Sequence, residues 1–149
     1  MYKNIEGYSD PTMGAVMRIM MTEYNAAEKR KVYQRQQEIR RWKRAYIVSK
    51  YAGDTEENIK KARSFCRFAV KQGYMPVASH LIYPQFLDDN DPIERELGTT
   101  FGLMLLGSCK ETWVFGTEHS PGMAAEIAEA KRLEKTIRYF DLDCKEITE

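Results

Sequence analysis

A strand–helix–strand pattern near the middle of the chain constrains the fold more than any other feature. Residues 45–49 form a β-branched and aromatic run, and residues 75–79 form a second short run that opens with proline. Between them, Asp54 and Glu57 make a capping-box start, and Gly73 stands where a helix ends. Such a unit predicts a parallel sheet with a ligand site beside the carboxyl ends of its strands.

The rest of the sequence continues the alternation. Asp91 and Pro92 predict the start of a further helix that reaches Ser108, and strands follow at residues 113–115 and 136–140. The face of this helix that we expect to be buried carries Leu97, Phe101, Met104 and Leu105. We therefore predict an α/β domain of three layers, flavodoxin-like or Rossmann-like, with a parallel sheet of about four to five strands.

Residues 1–44 predict a helical arm in front of this domain. Asp10 and Pro11 supply a cap and a first helical residue, and apolar residues follow at helical spacing. These are Met13, Val16, Met17, Met20, Met21 and Tyr24. An apolar face outside the α/β unit needs a partner, so we expect this helix either to form a homo-oligomer or to pack back on its own domain. The homo-oligomer is the simpler prediction.

The two ends of the chain differ in charge. Residues 29–44 carry eight Lys or Arg and one Glu, a pattern that is more typical of a solvated helix face than of a nucleic-acid site. We therefore expect no nucleic-acid partner. Residues 45–141 are assigned to the α/β domain, and residues 142–149 to an acidic tail that frays or pairs with the basic arm.

The composition is that of an ordinary globular domain. Of the 149 residues, 43% are hydrophobic and 30% are charged, and the net charge of +1 requires neither a membrane nor a polyanion as partner. The three cysteines Cys66, Cys109 and Cys144 suit neither a disulfide framework nor a metal site, which predicts a reducing, cytoplasmic setting. We find no signal peptide and no membrane-length apolar run, and we expect no metal and no cofactor.

The third predicted strand leads through a loop into a helix whose start is signalled twice. Ser120 is a good N-cap, and Pro121 suits the first helical position. The unpaired N–H groups and the helix dipole predict an anion site at residues 120–123. Because residues four apart share a helix face, Glu126 should lie over Gly122. The alternative is an ordinary helix start followed by a solvated glutamate.

This motif resembles the signature of the nucleoside 2-deoxyribosyltransferase superfamily. The shared pattern is Ser-x-Gly-x-x-x-Glu-Ile-x-x-Ala directly after a strand that ends in Val-Phe-Gly, and the resemblance covers residues 46–140. The superfamily includes the 5′-deoxynucleotide N-glycosidases and many phage and bacterial relatives. The resemblance implies that Glu126 attacks the anomeric carbon of a 2-deoxyribosyl nucleoside or nucleotide, and that the covalent glycosyl-enzyme then passes to water or another base.

The resemblance also implies which residues surround this nucleotide or nucleoside. Three residues at the helix start match the phosphate-holding residues of nucleotide-cleaving relatives, and the loop after the first strand would flank the sugar and base. His80 matches a histidine at the same mouth in some relatives, although a lone histidine is also a common hydrogen-bonded loop residue. The ligand-binding candidates are Ser49, Lys50, Tyr51, Gly53, Asp54, His80, Gly116, Ser120, Gly122 and Met123.

One position departs from the family pattern. Many relatives have an aspartate just before the third strand that positions a substrate hydroxyl or moves a proton, and this chain has Lys110 there. Glu111 is one candidate to replace it, and Asp88 and Asp89 from the long loop of residues 80–90 are others. A nucleobase leaves poorly unless it is protonated, so the missing acid is important.

Three functions stay open on this sequence. The first is an N-glycosidic hydrolase or transferase with Glu126 as nucleophile. The second is a non-catalytic protein that sequesters a nucleotide-derived signalling ligand, because the anion site does not depend on the missing acid. The third is a nucleic-acid-binding or structural protein that uses the basic arm, for which salt-dependent duplex binding would be the signature.

Overall fold

The computed structural model describes residue 7 and residues 11–148. The chain divides into two compact units, Met1–Arg41 and Trp42–Glu149. Helix α1 (Pro11–Ile39) belongs to the first unit, and the second holds the strands and the other helices. The predicted cap Asp10 lies outside the described residues.

Helix α1 contains 29 residues, and none of them is buried. Five of the six residues of its predicted apolar stripe are exposed, with Met20 at 58% and Tyr24 at 61% of their full accessibility, and Met17 is half-buried. A helix surface of this kind is an interaction surface or an aggregation liability. The prediction of a helix is confirmed here, and the prediction of its partner stays a prediction.

The second unit is built on a sheet of five strands in the order β2-β1-β3-β4-β5. The strands are β1 (Arg44–Val48), β2 (Met75–Val77), β3 (Glu111–Phe115), β4 (Thr136–Phe140) and β5 (Glu146–Ile147). The first four pair in parallel, and β5 runs antiparallel to β4. The predicted parallel α/β sheet is confirmed.

The acidic tail was expected to fray or to pair with the basic arm, and this is wrong for its last described residues. Glu146 and Ile147 form β5, which pairs with Phe140 and Tyr139 of β4. The Glu146 carboxylate also accepts two hydrogen bonds from the Arg138 guanidinium, each at 2.9 Å. A two-residue strand forms only because β4 presents a free edge, which local sequence does not reveal.

Three helices flank the sheet, and each begins at the predicted cap. They are α2 (Thr55–Lys71), α3 (Pro92–Ser108) and α4 (Pro121–Arg132). The side chains of Asp54, Asp91 and Ser120 accept hydrogen bonds from first-turn N–H groups of the three helices in turn. The chain then leaves α2 through Gly73, whose φ of 79° favours glycine.

Two hydrophobic clusters cover the two faces of the sheet. On one face, Phe65 of α2 stacks on Phe115 of β3 at 4.2 Å between ring centroids. On the other face, Leu106 of α3 and Ile127 of α4 pack over β1 and β3. Every residue of β3 is buried, as expected for a central strand between two helical layers. This arrangement is the predicted three-layer domain.

The buried face of α3 differs from the predicted one. Leu97 and Met104 are 43% and 67% exposed, whereas Gly102 and Leu106 are buried. The helix therefore packs through a face that carries a glycine, which contributes no apolar side chain to a sequence pattern. The predicted face is therefore wrong for Leu97 and Met104, whereas Leu105 packs against the buried cluster as predicted.

Candidate active site

Three buried side chains form a hydrogen-bonded chain at the centre of the candidate site. Tyr46 lies in β1 and packs in the cluster between the sheet and the helices α3 and α4. Its hydroxyl donates to Glu126 Oε1 at 2.7 Å and lies 2.8 Å from Ser79 Oγ. Because the Tyr46 proton goes to the carboxylate, Ser79 is the donor in the second hydrogen bond. The two bonds together hold one oxygen of Glu126 in a fixed position.

The Glu126 carboxylate is buried, and only one of its two oxygens is hydrogen-bonded within the described part of the chain. The residue is only 9% exposed, so it is not the solvated surface glutamate of the alternative interpretation. Burial raises its pKa to about 7, and the hydrogen bond from Tyr46 opposes the rise. Its Oε2 atom is buried without a hydrogen-bond partner in the described part of the chain. Buried acceptors without partners are rare, so this atom is a natural contact for a ligand.

Glu126 lines a pocket of about 120 Å³ between α3, α4 and the loop after β2, which we call the Glu126 pocket. The structure brings five of the predicted site residues together around it: Tyr51, His80, Asp89, Gly122 and Glu126. Apolar side chains of the loop and of α3 complete much of the wall. The pocket therefore combines a buried carboxylate with aromatic and apolar surface, as small-molecule sites commonly do.

Tyr51, His80 and Asp89 form one side of the Glu126 pocket. The rings of Tyr51 and His80 stack at 4.8 Å between centroids and 14° between planes. Burial lowers the pKa of His80, and the negative charge of Asp89 opposes this. Burial also raises the pKa of Tyr51, and Asp89 adds to the rise. Asp89 is thus close enough to influence both rings, and the lowered pKa favours a neutral imidazole.

The start of α4 offers fewer free donors than the sequence predicted. The Met123 N–H donates to Ser120 Oγ at 3.3 Å, and the Met123 side chain is buried in the core. Gly122 occupies the second helical position, where an N–H has no intrahelical acceptor. An added Cβ at Gly122 would come no nearer to another residue than 4.0 Å, to Ser120 Oγ. Of the residues predicted to hold an anion, Gly122 therefore keeps an N–H without an intrahelical acceptor, whereas Met123 serves the helix cap and the core.

Four of the remaining ligand-binding candidates line a different cavity, and Gly53 and Ser120 line neither of the two. Ser49, Lys50, Asp54 and Gly116 line a space of about 730 Å³ on the face of the sheet that α2 covers, which we call the α2-side cavity. Gly53 has a φ of 101°, which favours glycine and sets the path of the loop before α2. The first-strand exit loop therefore sends adjacent residues to opposite faces of the sheet.

Glu111 is not near Glu126, contrary to the prediction that it could replace the missing aspartate. It is the first residue of β3, at the end of the sheet opposite the strands' carboxyl ends. Its Oε1 atom accepts a hydrogen bond from Trp113 Nε1 at 3.2 Å and lies 3.9 Å from the Arg138 guanidinium. Strand β3 begins two residues earlier than predicted, and this brings Glu111 into a structural ion pair.

The two loop aspartates, Asp88 and Asp89, lie in different surroundings. Asp88 is exposed, and its Oδ1 atom accepts a hydrogen bond from the Asn90 N–H at 2.9 Å, so it shapes the loop. Asp89 lines the Glu126 pocket. Of the three acids considered for the role of the missing aspartate, Asp89 is the one whose position fits.

Sequence reasoning missed three residues of the site: Tyr46, Ser79 and Gly102. Tyr46 and Ser79 lie within predicted strand segments, where a buried polar side chain cannot be told from a packing residue. Gly102 carried a usable signal, because a glycine inside a helical pattern costs about 1 kcal/mol relative to alanine and often has a packing reason.

Two other kinds of site are absent from the described residues. No group of three or more His, Cys, Asp or Glu side chains there is arranged to hold a metal ion. None of the described helices is both long and apolar enough to cross a membrane.

Comparison with known sequences identifies a family for most of the second unit. The family described as "Domain of unknown function (DUF7768)" matches residues 43–140. Comparison with curated proteins gives no match.

Comparison with solved structures identifies the fold. The chain is similar to a 2-deoxyribosyltransferase from Bacillus psychrosaccharolyticus, with a TM-score of 0.57 and 16% identity over 71% of this chain and 77% of that one. It is similar to a 2-deoxyribosyltransferase from Leishmania mexicana, with a TM-score of 0.50 and 14% identity over 66% and 64% of the two chains. A Clostridium botulinum CMP N-glycosidase follows, with a TM-score of 0.43 and 20% identity over 66% and 69%. The domain has the 2-deoxyribosyltransferase fold, as the sequence motif implied.

Proposed function

We propose a function for this chain, which belongs to the family described as "Domain of unknown function (DUF7768)". The Glu126 pocket binds a nucleoside or nucleotide, and Glu126 attacks the anomeric carbon so that the N-glycosidic bond breaks. The fold is shared with nucleoside-processing enzymes, and the pocket supplies the argument for the chemistry. A carboxylate is the group that such a reaction needs, since its transition state carries positive charge on the sugar ring.

The observation that carries this proposal is the state of the Glu126 carboxylate. Tyr46 fixes Oε1, while Oε2 is buried beside the pocket without a partner. A nucleophile has to be positioned and partly desolvated to react faster than it would in water. Glu126 meets both conditions, and the surface carboxylates of α2 and α3 do not.

In the proposed first step, Glu126 Oε2 forms a bond to the anomeric carbon and the bond from that carbon to the base nitrogen breaks. The electron pair of the broken bond leaves with the base, which takes up a proton from an acid of the pocket wall. In the second step, water or another base attacks the anomeric carbon, returns a proton to that acid and releases the Glu126 carboxylate. Two displacements at one carbon retain its configuration.

Asp89 is our candidate for the group that supports departure of the base. It lines the pocket and influences the pKa of both His80 and Tyr51, so it lies with them on one wall. Protonation of a leaving group typically contributes about 10² to 10⁴-fold to a rate. A base seated against the stacked Tyr51 and His80 rings would be within reach of this wall.

The test is to incubate the protein with a panel of ribonucleosides, 2-deoxyribonucleosides and their mono- and diphosphates, and to measure released base by chromatography. Release of base from one member, with the sugar product showing retained configuration, supports the proposal. Intact recovery of every member, with or without tight binding, contradicts the catalytic part of it.

A second function, a binder without turnover, is favoured by one specific observation. Of the three acids considered for the role of the family aspartate, only Asp89 lines the pocket, and Asp89 is exposed. A pocket that binds the ligand and lacks an effective acid would retain it intact. The same panel, read by equilibrium dialysis, separates the two: stoichiometric retention without base release selects the binder.

We also propose that the protein forms a homo-oligomer through α1. Most of the apolar stripe of this helix is exposed, and full burial of a Met or Val side chain contributes about 1.5–3 kcal/mol. Light scattering should give a dimer or larger mass, and the double substitution Met17→Asp and Met20→Asp should reduce it or lower solubility. A monomer mass for the unaltered protein would contradict this proposal.

A further inference from the structure

Helix α3 approaches the Glu126 hydrogen-bonded chain most closely at Gly102. This glycine is buried in the interior of α3 and lines the Glu126 pocket. A Cβ atom added there would lie 3.2 Å from the Tyr46 hydroxyl oxygen, 3.3 Å from Ser79 Oγ and 3.4 Å from Ser79 Cβ. A Cβ contact of 3.0–3.4 Å is tighter than nine in ten of those found in proteins, so these neighbours would have to move by a few tenths of an ångström. The hydrogen atom of glycine therefore fits above these atoms, whereas a methyl group fits only if they move.

We propose that Gly102 is a positioning residue: its missing side chain lets α3 close over Tyr46 and Ser79, so that the Tyr46 hydroxyl holds the Glu126 carboxylate in place. The catalytic consequence rests on the proposed function. The structural consequence, the position and environment of Glu126, does not.

The neighbours of Gly102 have little freedom to move away from a side chain. Tyr46 is completely buried, in a strand hydrogen-bonded to β2 on one side and β3 on the other. Ser79 is 5% exposed and begins the short 3-10 turn after β2. Both hydroxyl groups are already engaged, at 2.7 Å and 2.8 Å. A shift of a few tenths of an ångström at the Tyr46 hydroxyl would therefore lengthen the bond to Glu126.

Another glycine in the same helix provides a matched control. Gly107 is also in α3, and a Cβ added there would meet Leu133 Cδ1 at 3.7 Å, an ordinary contact. Gly107 does not line the Glu126 pocket. Gly107→Ala therefore makes the same chemical change in the same helix without touching the Tyr46 hydroxyl.

The experiment measures the titration of the Glu126 carboxyl by NMR, with carbon-13 in the glutamate side chains and Glu126→Gln to assign the signal. We expect Gly102→Ala to raise the pKa of Glu126, because the lost Tyr46 hydrogen bond normally lowers it. Gly107→Ala should leave the titration unchanged. An unchanged titration in folded Gly102→Ala, or equal shifts in both variants, would overturn the proposal.

A double-mutant cycle tests whether Gly102 acts through Tyr46. It compares melting temperatures, so it also gives an answer if Gly102→Ala alone is too unstable for the titration. In a Tyr46→Phe background the closest contact is gone, so Gly102→Ala should lower the melting temperature less than it does in the unaltered protein. An equal or larger loss in that background would mean that Gly102 acts elsewhere and would overturn the proposal.

The catalytic consequence is measured separately. If the protein releases base, Gly102→Ala should lower kcat roughly tenfold or more, as expected for loss of a hydrogen bond to a charged group, with a smaller change in KM. If no base is released by any variant, the proposed function fails, and the titration and the cycle still decide the role of Gly102.

Discussion

The Glu126 pocket and the α2-side cavity lie at the same end of one sheet, on opposite faces, and they use carboxylates differently. The α2-side cavity has about 730 Å³ and is lined by five carboxylate residues. The Glu126 pocket has about 120 Å³ and is lined by three, of which only Glu126 is buried. If the number of acidic groups identified a site, the α2-side cavity would be the better candidate.

Two of the five carboxylates that line the α2-side cavity accept hydrogen bonds from the backbone. The Asp54 side chain caps α2, and Asp141 Oδ1 accepts hydrogen bonds from the N–H groups of Asp143 and Lys145, both at 2.9 Å. Glu126 instead has one oxygen fixed and one oxygen free. Glu126 is thus set apart by its burial and its single unsatisfied oxygen, and the count of acids in a cavity does not reveal either property.

The largest expected effect that tests this comparison is on base release. Glu126→Gln should reduce it by roughly 10⁴-fold or more, because it removes the attacking oxygen, and should leave ligand binding largely intact. The matched control is Glu57→Gln in the α2-side cavity, which should change the rate little. Equal losses in the two variants would end the distinction between the cavities.

The next effect is on stability and its dependence on pH. The folded protein keeps the Glu126 proton up to about pH 7, whereas an ordinary glutamate releases it near 4.5. The folded state therefore binds more protons than the unfolded chain in this window, and stability falls as pH rises through it. A pKa raised from 4.5 to about 7 corresponds to roughly 3 kcal/mol.

Glu126→Gln should remove this fall in stability with rising pH, because the amide stays uncharged. Urea unfolding should find the variant more stable than the unaltered protein well above pH 7, by up to roughly 3 kcal/mol, and little different below pH 4.5. Glu57→Gln should show no such pattern. A constant difference between Glu126→Gln and the unaltered protein at all pH values would refute the buried, neutralised carboxylate.

A smaller effect is expected from Tyr46→Phe, which keeps the ring and removes the hydroxyl. Loss of the hydrogen bond to Oε1 should raise the pKa of Glu126 and lower kcat roughly tenfold. The pH–rate profile would then rise at higher pH than in the unaltered protein, because more of the carboxyl is protonated near neutrality. A profile that does not move would show that Tyr46 does not tune this group.

The smallest effect concerns phosphate. Ligands with a phosphate should bind a few-fold tighter than the matching nucleosides, as expected for one helix N-terminus and one free N–H group. Gly122→Ala should reduce this preference, since its methyl group would project beside that N–H, and Lys50→Ala in the α2-side cavity should preserve it. Isothermal titration calorimetry with nucleoside and monophosphate pairs makes the measurement.

Much of the framework was predictable because it depends on local signals. Asp54, Asp91 and Ser120 cap helices through their own side chains, and each helix begins where its cap predicts. The position of Glu126 relative to Gly122 follows from helix periodicity, and both residues line one pocket.

The rest of the site depends on contacts between distant segments. Lys50 and Tyr51 are neighbours in sequence and line different cavities, which follows from the path of one loop. Tyr46 and Glu126 are 80 residues apart, so no local pattern connects them. Glu111 was misplaced because a residue at the start of a parallel strand lies at the amino end of the sheet, whereas the pocket lies at the carboxyl ends.

The sheet ends in two very short strands. On one margin β2 has three residues and contains Pro76, and on the other β5 has two residues. An outer strand with few unpaired N–H and C=O groups is a poor template for strand addition by another chain. Aggregation in register along the sheet is therefore disfavoured.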